Sequence, residues 1–428
     1  MDPGSGTEDI RDIVTDGEKI IAIEENADTS RFRSQDGIQP EVYDCRGLII
    51  GPGLIDGHVH FRDPGYTYKE DIFTGAKAAA AGGYTGVIMM ANTNPVIDNT
   101  DTLKYVLDKG NETDINIYSC ASVTKGLKGS ELTDMEVLLQ AGAMGFTDDG
   151  IPILSYDLAE EAMKEAARLN TILSFHEEDP AYITNNGINR GKASEYFGLG
   201  GSDRQAEISM VQRDIELAEK YGTKINIQHI STAEAVELVR RSKEKGHGDH
   251  IFAEATPHHM SMTEEDTIKY KTYAKMNPPL RTEEDRIAIV EGLADGTIDC
   301  IATDHAPHSD EEKARAIDKA PSGIIGLETA LSVSYNTLVA TNKLTLVQLF
   351  CKLSLNPARI YNIDAGNLAI YRTADIVIYD PNMIQIYDKS QSKSFNSPLK
   401  KREITGGVVG TVCKGRMIFN NMHNRRLT

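Results

Sequence analysis

Gly51-Pro-Gly-Leu-Ile-Asp-Gly-His-Val-His-Phe-Arg62 is the stretch from which the fold can be read. Pro52-Gly53 marks a turn, and Leu54, Ile55 and Val59 behind it read as a buried strand. His58 and His60 are two apart, so on a strand both rings leave the same side. Two imidazoles so placed can hold one metal ion at about 2.0–2.1 Å per nitrogen. An isolated His-x-His is more often a pair of ordinary strand histidines. The pattern of the remaining chain reverses that expectation.

From Leu54 onward, strand, loop and helix alternate. Candidate strands are 54–60, 84–90, 115–121, 142–147, 171–176, 224–230, 251–256 and 298–303. Helical periodicity lies between them, at 69–82, 100–109, 131–141, 156–169, 203–221, 232–245 and 282–294, and continues through 326–340 and 345–352. Eight strands alternating with helices over about 250 residues is the arithmetic of a (β/α)8 TIM barrel, an α/β fold. No Gly-x-Gly-x-x-Gly follows the first strand, which argues against an open doubly wound sheet. Outside the barrel the pattern is β. Asp12–Glu25 alternates like a hairpin with Asp16-Gly17 at its turn, and Val42–Ile50, Ala374–Tyr379 and Gly407–Phe419 read as further strands. The expected organisation is a barrel over 51–360 and a small β domain built from both ends, 1–50 and 361–428. Met1–Thr7 is polar and glycine-rich and is expected to be disordered.

Composition narrows the function. The 428 residues carry a formal net charge of -19, which argues against nucleic acid or an anionic membrane as partner. An anionic substrate would therefore need locally placed cations. Five scattered cysteines without a Cys-x-x-Cys fit a reducing, cytoplasmic compartment. No apolar run is long enough to span a bilayer, and the N-terminus does not read as a signal peptide.

Barrel sites lie at the carboxyl ends of the strands, so polar residues there stand out. His58 and His60 end the first strand. Asn92 and Asn94 follow the second, Asp148 and Asp149 the fourth; His176 ends the fifth, His229 the sixth and Asp304 the eighth. Four histidines and at least two carboxylates on one rim suffice for two borderline-hard metal ions bridged by a carboxylate. Asp148-Asp149-Gly150 could be a plain turn, but it closes a strand on the same rim. His258 and His259 read as structural, because Pro257 already turns the chain away. Glu177 and Glu178 read as loop charges or as partners that orient His176, and Glu311-Glu312 as a solvated loop.

Three longer motifs make the pattern specific: His58-Val-His-Phe-Arg-Asp-Pro-Gly65, Ala91-Asn-Thr-Asn-Pro95, and Thr303-Asp-His-Ala-Pro-His308 followed by Lys313. Over about residues 15 to 420 the chain resembles the dihydroorotases of the amidohydrolase superfamily, in the bacterial class that bridges its metals with aspartate. The resemblance implies zinc, one or two ions per chain, held by His58, His60, Asp149, His176, His229 and Asp304. Asp149 is the implied bridge, ahead of Asp148. It implies reversible interconversion of N-carbamoyl-L-aspartate and L-dihydroorotate in pyrimidine synthesis, with Asp304 as the catalytic proton carrier. His60, Arg62, Asn94, Asn277 and His308 would bind substrate, and Ser322-Gly323 would touch it through the backbone. The implied assembly is a homodimer, with aspartate transcarbamoylase as a candidate partner. The residues agree with these roles. Arg62 suits a substrate carboxylate, and Asn94 and Asn277 can both donate and accept, as an imide ring requires. Related alternatives are allantoinase or dihydropyrimidinase, or an inactive paralogue serving as a transcarbamoylase scaffold. Against them stand the Asp-Asp-Gly ending without lysine, Arg62 itself, and a full ligand set. The family's short first strand has no counterpart in Met1–Thr7, and Ala369–Asp375 is less glycine-rich than the usual turn there. The charged segment 309–322, bounded by Pro307 and Pro321, is expected to fold over bound substrate, the alternative being a fixed loop or short helix.

Overall fold

The computed structural model describes residues 1–32 and 39–422. The expected small-domain segments 1–50 and 361–428 run across residues 33–38 and 423–428, which lie outside the described residues.

Apolar strands and amphipathic helices build the barrel directly. Its staves are β4 (Leu54–Val59), β5 (Tyr84–Met89), β6 (Asn116–Ser119), β7 (Ile172–Phe175), β8 (Lys224–Ile227), β9 (Ile251–Ala255) and β10 (Cys300–Ile301), three further strands preceding them at the N-terminal end. All six residues of β4 and of β5 are buried, as staves covered on both faces must be. β4–β5–β6 form one parallel sheet and β7–β8–β9–β10 another. Parallel bridges from Phe146 to Ala121 and Leu173, and from Val59 to His305, join them into a closed ring.

The helix Tyr156–Leu169 shows why the outer ring forms. Leu158, Ala159, Ala162, Met163 and Ala166 recur on one face and are buried. Ser155 caps its start through Leu158 N, and Asn170 ends it in the left-handed region at φ 51°. Each fully buried large aliphatic side chain contributes roughly 1.5–3 kcal/mol.

Most staves are shorter than the expected runs, and two depart most from them. Residues 142–147 form no strand; the ring passes there through the Phe146 bridges alone, with Phe146 N donating to Ile172 O at 3.0 Å. The run 298–303 contracts to β10, because Thr303 N turns to the buried carboxylate of Asp56, 3.1 Å away, instead of a neighbouring strand.

The N-terminal hairpin pairs β1 (Asp12–Asp16) with β2 (Lys19–Glu24), its turn at Gly17-Glu18, one residue beyond the expected position. Of Val42–Ile50 only the end is extended, in β3 (Ile49–Pro52). β3 pairs antiparallel with β11 (Ile376–Ile386), which is followed in the same sheet by β12 (Glu403–Cys413) and β13 (Arg416–Asn420). Both ends of the chain thus meet in one sheet beside the barrel. Ile20, Leu368, Ile376, Ile378 and Val409 pack beneath it. Met1–Thr7 is ordered, contrary to expectation. The Asp2 carboxylate accepts from Gly4 N and Ser5 N at 3.0 Å each and from Leu368 N at 3.0 Å. A side chain that satisfies three backbone donors fixes a segment too polar to be held by burial.

Candidate active site

Six strand-end side chains meet inside the carboxyl rim of the barrel. His58 Nδ1 lies 2.7 Å from Glu254 Oε1, so Nδ1–H donates there and Nε2 is the nitrogen that faces inward. His60 repeats the arrangement, with Nδ1 2.9 Å from Asn92 Oδ1. Asp149 sits between the histidines. Its Oδ1 is 3.3 Å from His58 Nε2, 3.6 Å from His176 Nδ1 and 3.7 Å from His229 Nε2. Its Oδ2 is 3.4 Å from His60 Nε2, which is itself 3.0 Å from Asp304 Oδ1.

These donors fall into two groups, His58 with Asp149 and His229, and His58 with His60 and Asp304, each within 4.8 Å. His58 Nε2 and Asp149 Oδ1 are buried and lack a hydrogen-bond partner among the described residues. An unsatisfied buried polar atom costs about 1–3 kcal/mol, which an ion bound between them would offset. Imidazole nitrogens and carboxylate oxygens suit a divalent ion such as zinc. The residues present therefore fit a metal centre.

The backbone is bent to bring these groups in. Arg62, His229 and Asp304 have φ of 59°, 32° and 45°. Left-handed conformations at such residues cost of order 1–3 kcal/mol each, and cluster at functional sites. Charge is concentrated in the same way. Burial works against protonated His58, yet the carboxylates of Asp149 and Glu254 outweigh it and push the imidazole well above its ordinary range. Burial likewise opposes a charged Asp149, but His58, His176 and His229 hold its carboxyl well below the usual carboxylate range. Asp304, buried beside His60, is held down at about 2.

Asp148 is the wrong shape for a ligand here. Its carboxylate turns away to accept from Thr124 N at 3.0 Å and from the Thr124 hydroxyl, and burial raises it to about 6. Glu254 is a partner that the sequence reading missed. It lies buried in β9, and its Oε2 also accepts from Asn226 Nδ2 at 2.9 Å. A charge inside the apolar run Ile251-Phe-Ala-Glu-Ala255 was the available signal. Glu178 does orient His176, at 3.1 Å from Nε2, while Glu177 is buried without a hydrogen-bond partner. Neither is a solvated loop charge.

A family model described as dihydro-orotase-like matches residues 47–235, which include five of the six converging residues named above. The dihydroorotase of Clostridioides difficile is 48% identical over 420 residues, covering 98% of each chain. The chain belongs to the dihydroorotase family. The dihydroorotase of Clostridium acetobutylicum is likewise 48% identical, over 423 residues and 98% of both chains. Among solved structures, the L-hydantoinase (dihydropyrimidinase) from Arthrobacter aurescens superposes with a TM-score of 0.82 at 24% identity, over 96% of this chain and 92% of its own. The dihydropyrimidinase from Brevibacillus agri gives 0.81 at 21%, with the same coverage. Those two likenesses are of fold, and they agree with the barrel read from the sequence.

In this dihydroorotase-family chain a cavity of about 430 Å³ opens over Asp149 and Asp304. His60, Arg62, Asn277, Ser322 and Gly323 line it, as do His176 and His229. Asn94 and His308 do not. Asn94 is exposed, and His308 is buried behind the wall, its Nδ1 3.3 Å from Lys69 Nζ and 3.4 Å from Glu312 Oε2. Burial pulls His308 down to about 3, so its ring is neutral. Gly323 has no free backbone group for a ligand. Its N–H donates to Lys275 O at 2.9 Å, and its carbonyl accepts from Lys313 Nζ at 2.9 Å and from Asn396 Nδ2 at 3.0 Å. His258 and His259 are buried in the turn after β9, and His259 Nε2 donates to Pro278 O at 3.0 Å, supporting the Asn277 loop.

Segment 309–322 is ordered and forms part of the cavity wall. Its one-turn helix Asp310–Lys313 is capped reciprocally by Ser309 and Glu312. Glu312 is no solvated charge; Lys69 Nζ and the Tyr68 hydroxyl each lie 2.9 Å from its Oε1. Lys313 is buried, with Nζ 3.0 Å from Pro321 O, and Lys275 Nζ donates to Ile317 O and Ala320 O at 2.8 Å each. Two lysine ammoniums on backbone carbonyls hold a segment that has little apolar surface of its own.

Proposed function

We propose that this site interconverts N-carbamoyl-L-aspartate and L-dihydroorotate, with zinc at the two donor groups. One observation carries the proposal: a single carboxylate, Asp149, stands among four histidines with Asp304 beside it and the Arg62 guanidinium in the same cavity wall. Bound zinc would polarise the ring carbonyl and lower the pKa of water at neutral pH. The chain's own residues do the rest. Arg62 pairs the substrate carboxylate, and Asn277 hydrogen-bonds the imide edge. Asp304, ionised and 3.0 Å from His60, takes the proton of the attacking water and delivers it to the leaving ring nitrogen. In the synthetic direction it accepts the amide proton as that nitrogen attacks the carboxyl carbon, and returns it to the carboxyl oxygen that departs as water. His60 supports both sides as metal ligand and cavity wall. Ser322 reaches the substrate from the loop, while His308 acts from behind the wall on Glu312.

The related hydantoin and allantoin chemistries are disfavoured by the same residues. The cavity's one lining lysine among the described residues, Lys275, spends its ammonium on Ile317 O and Ala320 O. Arg62 supplies a charge that an uncharged hydantoin ring does not need. Turnover of dihydroorotate, allantoin and dihydrouracil, measured with metal content, tests the reading. Turnover of dihydroorotate alone, with bound zinc, is expected; preference for either other substrate would overturn it. We further read the barrel 51–360 as the unit that carries the site, working in the cytoplasm as a homodimer, with transcarbamoylase association left to direct measurement.

Two consequences are measurable. Arg62→Met should weaken substrate use by about 1.5–3 kcal/mol, the value of a lost charge-assisted pair, at unchanged zinc content. A parallel fall in zinc would reassign Arg62 to a structural role. Segment 309–322 should exchange its amide hydrogens more slowly when dihydroorotate is bound, because its loop then closes on a ligand. Identical exchange at saturating ligand would mean a fixed wall, as the two lysine clasps alone would produce.

A further inference from the structure

Between β11 and β12 the chain leaves the small β sheet and crosses the carboxyl rim of the barrel. This strap, residues 387–402, is stitched first to the loop after β4. Ser394 Oγ donates to Lys69 O at 2.7 Å, Lys393 Nζ donates to Thr67 O at 2.8 Å, and the Ser392 hydroxyl bonds the buried Glu70 carboxylate. It then reaches the neighbouring loop after β10, and the wall beyond it, through one side chain. Asn396 is fully buried. Its Nδ2 donates to Ala306 O at 2.9 Å and Gly323 O at 3.0 Å, and its Oδ1 accepts from His308 N at 3.0 Å. Its own carbonyl accepts from Ile325 N at 3.1 Å.

Each of these partners is backbone, and each belongs to one of two segments that form the site. One is 304–308, which begins with Asp304 in its strained left-handed conformation, φ 45°. The other is 322–325, the cavity wall. The two segments touch closely at Gly323, whose φ of 139° suits only glycine. A Cβ there would lie 2.8 Å from Ala306 Cβ and 2.9 Å from Ala306 O. The two segments also bond directly, Ala306 N to Ile324 O at 3.0 Å, and the Asn396 side chain adds bonds to both.

We propose that Asn396 is a positioning residue for the reaction: it fixes the loop that aims the Asp304 carboxylate against the wall that bounds the substrate. The small β sheet then contributes to catalysis through its strap, and not only to stability. This rests on the dihydroorotase reading above. Asn396 is not among the residues that line the cavity. Misplacement of a reacting group by about 1 Å can cost on the order of 10²-fold, so the expected effect is on turnover.

The test compares Asn396→Ala with Ser354→Ala. Ser354 makes an equally buried side-chain bond to backbone, Oγ to Gly53 O at 2.6 Å, at the opposite end of the barrel. Both variants should lose thermal stability. Per metal-loaded folded molecule, Asn396→Ala should lose at least tenfold in kcat, more than any rise in KM, whereas Ser354→Ala should stay within twofold of the unsubstituted protein. Asn396→Asp, of the same shape, serves if the alanine variant does not fold. It keeps the acceptor for His308 N but sets a carboxylate against two carbonyls, and it should lose at least fivefold in kcat. Turnover within twofold of the unsubstituted protein for the folded Asn396 variant, or an equal kcat loss in Ser354→Ala, overturns the proposal. If the unsubstituted, zinc-loaded protein fails to turn over dihydroorotate, it is the functional reading that falls instead.

Discussion

Asp304→Asn is expected to lower dihydroorotate turnover by about 10²–10⁴-fold, the usual worth of a placed proton carrier. The substitution keeps the shape of the side chain and removes the charge. Asp304 is ionised because His60, His58 and His229 outweigh its burial, so it can accept a proton at neutral pH, which the amide of asparagine cannot. The fold should survive. Among the described residues the side chain bonds His60 alone at hydrogen-bond distance, and the barrel closes through backbone contacts at Val59 and His305. Turnover and thermal melting of the zinc-loaded variant check this. Near-normal turnover in a folded, loaded variant would remove Asp304 from the chemistry.

Glu254→Ala carries the second-largest expected effect. The carboxylate takes the Nδ1–H of His58 at 2.7 Å and the amide of Asn226 at 2.9 Å. Without it the His58 tautomer is no longer fixed, and a buried ring nitrogen and a buried amide lose their acceptor. Loss of such a partner typically costs 10–100-fold in metal affinity or activity, roughly. Competition with a chelator should show zinc affinity falling by that range. Unchanged zinc affinity would mean that His58 is oriented by packing alone.

The barrel was legible because its signals are local and repeated. Buried strands such as β5 read as apolar runs, and helices such as Tyr156–Leu169 carry both a face and caps. Positions 142–147 and 298–303 were overread because apolar runs mark burial, while strand pairing depends on partners that a neighbouring side chain such as Asp56 can displace. The convergence of these side chains was legible for a related reason: His58, Asp149, His229 and Asp304 are polar at the ends of apolar runs. Glu254 escaped because its partner, His58, is 196 residues away in sequence. Asn94 and His308 were placed by motif, and a motif does not say which side of a wall a residue occupies. The order of 309–322 was hidden for the same reason as Asn396. Lys275, Lys313 and Asn396 act on backbone carbonyls, which every sequence has and no pattern marks.

Dihydroorotate hydrolysis by metal-stripped protein, titrated with zinc while bound zinc is counted, tests the central claim most directly. Stripped protein should be inactive, and activity should rise in proportion to zinc bound, saturating as the two donor groups fill. Full turnover by the metal-free protein, or stoichiometric zinc binding that restores no hydrolysis of dihydroorotate, would contradict the account.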